Sequence, residues 1–500
     1  MTSAATRQPE PWAELPGLLD ATDEPSPADE RRLLVGAADF DRAARALKDA
    51  GARFVTIFRA GAPEASLVGV FALQGELVVL RAPIGRRASS RPQTTIGEWW
   101  PAARWAAQEL AEREGQRVAS ASATPLLTAP DADLLDPRVH GLDVFTLPYG
   151  PVRSGIFEAI QFQIETGGED VPRIQTRPFF KHRGREQRFA GLRPDIGVYV
   201  AERVAGIASV AYASAFSQAV ERALDVAPPP RAERWRAVYA ELERMACHLD
   251  VIAKEAETTA LYVGQARFQI LKERVVRLRA RLTGSRFARG VIVPGGVRFD
   301  GAMGLEELLG EIAALASDLR RDRRLFVGTA SMTDRLIGSG RLPRPLVEEY
   351  SAVGPLARGS GLSTDARHER PYGDYKRLGL EVITASEGDA MARINVRFGE
   401  LGESLRLLRQ SINQLRRQNG ELQTPLPTSA SGAAFGWVEA PQGELVIWVE
   451  LRDGLLERVH IASPSLRNWA LFDHAFPKDV LTDFAFIEHS FGLTPAGADR

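Results

Sequence analysis

The sequence predicts an α+β fold: a small α/β N-terminal domain followed by a helix-rich domain with peripheral β elements. Three observations predict it. Short β-rich runs alternate with helical stretches up to about Leu127. From about Leu142 the pattern shifts to long helical segments. The 500 residues suggest more than one domain and are ample for a sizeable core.

The elements follow in order. Residues 1–30 read as a disordered or extended leader, with five prolines and scattered acids. Residues 31–127 form the α/β domain. Phe40–Ala50 has helical periodicity, while Phe54–Phe58, Ser66–Leu73 and Glu76–Arg81 are β-rich, and Ile96–Glu114 is helix-like. The Pro-, Ala- and Asp-rich stretch Ser122–Val139 is a boundary loop. Residues 142–500 are the second domain. Val144–Leu147 and Phe157–Thr166 read as strands, and Val198–Asp225, rich in Ala, Val and Ser, as one helix packed on most sides. Pro228–Pro230 breaks it. Arg234–Tyr262, Gln265–Leu282, Leu305–Leu325 and Gly399–Gln418 are further helices, and Pro294-Gly295-Gly296 marks a turn. Gly432–Glu450 and Leu455–Ile461 read as a β-hairpin region, with a mixed segment Asn468–Phe491 after it.

Composition excludes several classes. The chain is 44% hydrophobic and 25% charged, with net charge -1, so it lacks the basic footprint of a nucleic-acid binder. A single cysteine, Cys247, makes no internal disulfide and cannot hold an iron–sulfur cluster unaided. Its place on the Arg234–Tyr262 helix reads as a buried small residue. No long uncharged apolar run appears, because Glu202 and Arg203 interrupt the best candidate, Val198–Ala215. A cytoplasmic protein is the default, with membrane association only through partners. Pro294-Gly295-Gly296 lacks the Gly-Lys-Ser/Thr end of a phosphate loop, and no nicotinamide fingerprint is present.

Several short motifs stand in one order: Lys181-His182-Arg183-Gly184, Glu202-Arg203-Val204-Ala205-Gly206-Ile207-Ala208-Ser209, Glu241-Leu242-Glu243-Arg244 with His248-Leu249, Leu282-Thr283-Gly284-Ser285-Arg286-Phe287, Pro294-Gly295-Gly296-Val297, Arg370-Pro371-Tyr372, and Glu387-Gly388-Asp389 with Arg393 and Arg397. Their order and spacing over residues 142–500 resemble the large subunit of group 4 [NiFe] hydrogenases and its relative, the quinone-site large subunit of complex I. The first domain adds Ile96-Gly97-Glu98-Trp99-Trp100-Pro101-Ala102-Ala103-Arg104-Trp105 and Glu109, similar to the complex I subunit adjacent to the large one. Fusion of the two resembles hydrogenase-4-type and formate-hydrogenlyase-type large subunits.

The resemblance places two Cys-x-x-Cys nickel-ligand pairs at Ala205 and Ala208 and at Ser465 and Asn468. Alanine offers no lone pair, and serine or asparagine is a poor soft-metal ligand, so the expectation is that this chain carries no [NiFe] site and is not a hydrogenase. In complex I a quinone headgroup is held by a His on the first β-loop and a Tyr on the helix bearing the Arg203 motif, two donors that bind a carbonyl and supply protons. Here the loop reads Pro148-Tyr149-Gly150-Pro151-Val152-Arg153-Ser154-Gly155, and the tyrosine position falls at Gly206. Tyr149, Arg153, Ser154 and Gly206 are therefore the candidate quinone-site positions, with His182 and Tyr199 as further contacts.

Other polar residues have two readings each. Glu202 and Arg203 are either a remnant active-site wall or proton path, or an ion pair tying helices together. His182 and Arg183 either face a partner's cluster or cap a strand. Arg244 and His248 share a helix face, which points to packing and hydrogen bonding. With Glu202, Arg203 and His182 as catalytic candidates, the resemblance implies an oxidoreductase subunit of a respiratory, complex I-like (hydrogenase-4-related) assembly with NADH dehydrogenase-like electron transport. The NAD site would lie on other subunits. The chain would bind no cofactor of its own, receive electrons from a small [4Fe–4S] subunit, pass them to quinone or another acceptor, and sit on membrane antiporter-like subunits that translocate ions. It would lie peripherally on the cytoplasmic face of the inner membrane. The alternative is a non-catalytic scaffold in such a complex.

Overall fold

Helical periodicity at Phe40, Ala43, Ala44 and Leu47 buries one face of the first helix of the chain. The computed structural model describes residues 18, 21–24, 29–61, 65–84, 94–113, 126–127, 144–153, 158–476 and 479–500. The chain divides into two compact units, Met1–Ala121 and Ser122–Arg500. Apart from Leu126 and Leu127, the expected boundary loop Ser122–Val139 lies outside the described residues, as does most of the expected leader.

The first unit is a five-stranded sheet in the order β1-β2-β5-β4-β3. Its strands are β1 (Thr22–Glu24), β2 (Glu30–Leu34), β3 (Arg53–Ala60), β4 (Ser66–Leu73) and β5 (Glu76–Pro83), with helix α1 (Phe40–Asp49) between β2 and β3. The strand Thr22–Glu24 corrects the reading of residues 1–30 as a leader: it pairs antiparallel with β2, and Arg31 anchors it through Asp23 at 2.8 Å. Strands β4 and β5 join through Gln74 and Gly75, both at positive φ, the backbone that a two-residue hairpin requires. Helices α2 (Ile96–Trp99) and α3 (Arg104–Arg113) replace the single expected helix Ile96–Glu114. Trp100, extended because Pro101 follows it, turns into the core and stacks on Phe71 at 5.7 Å.

The second unit opens with the antiparallel sheet β6 (Phe145–Tyr149), β7 (Gln161–Thr166) and β8 (Arg173–Arg177). The single helix expected over Val198–Asp225 is two: α4 (Pro194–Ala201) and α5 (Ser209–Ala223), bent by 120° across a short 3-10 turn, Gly206–Ala208. Glu202 and Arg203 thus sit in a break rather than along a helix. No proline or glycine pair marks the break; carboxylates from side chains hold it, as shown below. Helix α6 (Pro230–Thr258) starts with Pro230 in its first position. It runs through the core against α7 (Tyr262–Thr283) and the Ala390–Leu415 helix. A small hairpin, β9 (Ile292–Val293) and β10 (Gly296–Val297), forms the Pro294-Gly295-Gly296 turn, and α8 (Leu305–Val327) follows. The Ala390–Leu415 helix begins nine residues before the expected Gly399. Asp389 caps it by accepting from Ala392 N at 2.8 Å, and its early buried positions include Arg393 and Arg397 among Met391, Ile394, Val396 and Phe398, which interrupts the apolar signal.

The expected hairpin region is a three-stranded antiparallel sheet, β11 (Gly432–Ala440), β12 (Gly443–Arg452) and β13 (Leu455–Ala462). Helix α5 lies on it at backbone contact. A Cβ on Gly436 would stand 2.1 Å from Ala215 O and 2.6 Å from Ala219 N. Gly436→Ala therefore forces α5 off the sheet, and we expect a loss of about 1–3 kcal/mol, read as a lower melting temperature. An unchanged melting temperature would mean that the helix retreats at no cost.

Candidate functional site

The break between α4 and α5 is built from two buried carboxylates. Glu202, 1% exposed at its side chain, accepts from Gly290 N at 2.7 Å and from Arg203 Nη1 at 2.5 Å. Arg203 is 45% exposed and also donates to Tyr199 O at 2.7 Å. The two side chains form an ion pair, and Glu202 ties the break to the 284–298 loop through Gly290. Glu243, from α6, accepts from Val210 N at 2.8 Å and Ala211 N at 3.0 Å. These are first-turn N–H groups of α5 that have no partner within the helix. Burial pushes the Glu243 carboxyl up to about 7, against the pull of Arg279 and of those two N–H groups. Sequence reasoning singled out the motif containing Glu243 but not this role, because a helix-capping residue 33 positions from its helix leaves no local pattern.

The positions where the resemblance puts metal ligands carry other interactions. Ala205 and Ala208 are fully buried methyl groups flanking Gly206. Position 206 is a glycine and so presents no phenol, with Arg289 Nη2 3.4 Å from where its Cβ would stand. Ser465 Oγ accepts from Thr494 N at 3.2 Å. The Asn468 amide clasps the main chain of one residue, accepting from Val353 N at 3.1 Å and donating to Val353 O at 2.9 Å. These residues do not fit nickel and iron: the upstream pair has no donor atom, and the downstream pair is engaged with main chain. Cys247 Sγ donates to Ile207 O at 3.0 Å, and burial pushes its thiol well up. It is half-buried rather than buried, at the edge of a cavity.

The loop expected to hold a quinone is differently engaged. Arg153 is buried and its fork clasps Glu488, Nη1 to Oε2 at 2.8 Å and Nη2 to Oε1 at 2.5 Å. Its guanidinium lies 4.9 Å from the Tyr149 ring and 5.0 Å from that of Phe162. Tyr149 itself is 41% exposed and meets Phe484 edge-on at 5.0 Å. Ser154 lies outside the described residues. His182 is half-buried, with its ring 6.5 Å from that of Phe179. Its loop is pinned by Asp499, which accepts from Phe179 N at 2.7 Å and Lys181 N at 3.0 Å. Arg183 stands 3.9 Å from Glu158.

A cavity of about 160 Å³ adjoins the break. Ile207, Cys247, Gln442 and Trp469 are among its walls, so it touches both segments that the resemblance marked for metal binding. Behind it, α6 carries a fully buried ion network. His248 and Glu400 share a hydrogen bond of 2.8 Å, and Arg358 donates to Glu400 and to Glu439, each at 2.8 Å. Arg367 joins Glu241 at 3.0 Å and Asp365 at 2.7 Å. Burial pushes the His248 imidazole down to about 4 in spite of its Glu400 bond. The ring is neutral and donates to the carboxylate, which bears out packing and hydrogen bonding for His248.

Comparison with known proteins gives a consistent set. The family "Respiratory-chain NADH dehydrogenase, 49 Kd subunit" matches residues 256–430. The membrane-bound hydrogenase subunit alpha of Pyrococcus furiosus is 30% identical over 327 residues, 62% of this chain and 76% of that one. Formate hydrogenlyase subunit 5 of Escherichia coli (strain K12) is 28% identical over 365 residues, 71% of this chain; the match spans only 63% of that protein's length. Among solved structures, a chain of the archaeal membrane-bound sulfane sulfur reductase superposes with a TM-score of 0.68 and 25% identity, covering 72% of this chain and 99% of that one.

Proposed function

The chain belongs to the family of complex I 49-kDa subunits and group 4 hydrogenase large subunits, and from that premise we propose that it is the large, peripheral subunit of a membrane-attached, complex I-like oxidoreductase without a nickel–iron centre. Its relatives are subunits of membrane-bound hydrogenase and NADH dehydrogenase complexes. No single helix among the described residues is long and apolar enough to cross a membrane, which agrees with a peripheral place on partner subunits. In this reading a small [4Fe–4S] subunit delivers electrons to quinone or another acceptor at this chain, and antiporter-like membrane subunits, on whose cytoplasmic side it sits, couple the transfer to ion translocation.

One observation carries the reading. The family scaffold is intact, while its four ligand positions are two buried methyl groups and two side chains bound to main chain. This argues against hydrogen activation here, and the relatives' place in NADH-quinone oxidoreductase complexes supports electron transfer to an acceptor as the remaining chemistry. Purification of the native complex with its partners, followed by metal analysis and a quinone-reduction assay, tests this. We expect iron without nickel, and quinone turnover. Iron with no turnover toward any quinone would favour a scaffold subunit instead, and stoichiometric nickel would overturn the reading.

A further inference from the structure

The cavity beside Ile207 has an unusual charge balance. Four cationic side chains line it, Lys254, Lys272, Arg279 and Arg397, against two carboxylates, Asp250 and Glu488. Asp250 is shared by the two lysines, at 3.1 Å and 2.6 Å, and Glu488 is clasped by Arg153. Neither guanidinium group makes a hydrogen bond or ion pair with a carboxylate among the described residues, and Glu400 and Glu255 act on Arg397 only through space. Arg397 donates Nη1 and Nη2 to the carbonyls of Arg393 and Phe491, at 3.0 Å and 2.9 Å, and its buried Nε has no partner.

Arg279 is the sharper case. It is 3% exposed, its Nε is buried and unpartnered, and its side chain makes no hydrogen bond or ion pair with any described residue. Glu243 acts on it only through space, since both of its oxygens accept from α5. A buried, unpaired cation is among the costliest groups a fold can hold. The rest of the wall mixes apolar side chains, among them Val276, Phe287 and Trp469, with the uncharged polar groups of Cys247, His248, Gln442 and His489.

We propose that this cavity is a binding site for a small oxyanion or carboxylate, received edge-on by the Arg279 fork with Arg397 as the second cation. Guanidinium groups match an O–X–O edge with two parallel hydrogen bonds. The size agrees: an engineered cavity of ~150 Å³ holds benzene, so about six heavy atoms fit. Burial holds both guanidinium groups below their ordinary range. The site stands on its lining residues and does not depend on the redox reading.

Equilibrium dialysis and thermal unfolding of the full chain test it, with sulfate, phosphate and acetate as probes and chloride at matched ionic strength as reference. We expect one probe class to bind at about one per chain and to raise the melting temperature. A response to acetate alone assigns a carboxylate, and one to sulfate or phosphate an oxyanion. Arg279→Met should abolish binding while leaving the probe-free melting temperature unchanged or higher, because it removes an unpaired buried charge. Val276→Trp, which keeps Arg279 and fills the space, should exclude the probe as well. No probe binding beyond chloride, or binding that both substitutions leave unchanged, would overturn the proposal.

Discussion

Arg358→Met is expected to lower the stability of the second unit by about 3–5 kcal/mol, the range for removing one partner from a buried ion pair. Arg358 is fully buried, and three carboxylates depend on it: Glu400 and Glu439 at 2.8 Å and Asp365 at 3.3 Å. Burial alone would push the Glu400 carboxyl up; the Arg358 guanidinium beside it outweighs that and, with the His248 bond, holds it well below the usual carboxylate range. With methionine in its place, three acids face an interior that has lost its central cation, with Arg244, Arg367 and Arg397 remaining around them. Some must take up protons or admit water, and either route costs stability. Urea unfolding followed by tryptophan fluorescence measures the loss, since Trp437 and Trp469 are buried in this unit. The contrasting substitution is Arg344→Met, whose partner Glu348 is also exposed; it should leave the midpoint in place. If the two midpoints coincide, the network contributes no more than a surface pair, and the buried arginines need another explanation.

That network also shows where the sequence stops being legible. Three strands of the first unit are legible as β-rich runs, and Ser66–Leu73 matches the observed strand to the residue. The long amphipathic helices α6, α7 and α8 are equally plain. The failures share a cause: an element boundary or a role set by a residue distant in sequence. The break after Ala201 is held by Glu202 on Gly290 and Glu243 on Val210, contacts across 88 and 33 positions. The start of the Ala390–Leu415 helix was missed because Arg393 and Arg397 point inward, against the rule that charge faces water. At the candidate site, the expectation that thiolates are missing at Ala205, Ala208, Ser465 and Asn468 comes from the resemblance. The residues occupying their surroundings were not legible, since Asn468 meets Val353 across 115 positions and Arg153 meets Glu488 across 335.

The Arg153–Glu488 pair decides what the first β-loop does. Glu488→Leu is expected to cost about 3–5 kcal/mol, because it strands a guanidinium whose side chain is 4% exposed among the Tyr149, Phe162 and Phe484 rings. Arg153→Met should cost less, since Glu488 borders the cavity and can be hydrated there. The double substitution, R153M with E488L, pairs two apolar side chains and should recover much of the loss. A coupling of about 2–3 kcal/mol in the double-mutant cycle is the expected result. A coupling near zero would mean that the bidentate contact adds nothing to folding. The same double variant, assembled in its complex, separates structure from substrate contact. With the fork closed on Glu488, neither terminal nitrogen is available to a quinone carbonyl. The variant should therefore keep the KM for quinone once stability is restored. A KM raised at least tenfold in a variant of recovered stability would show instead that the substrate opens this pair and takes the guanidinium for itself.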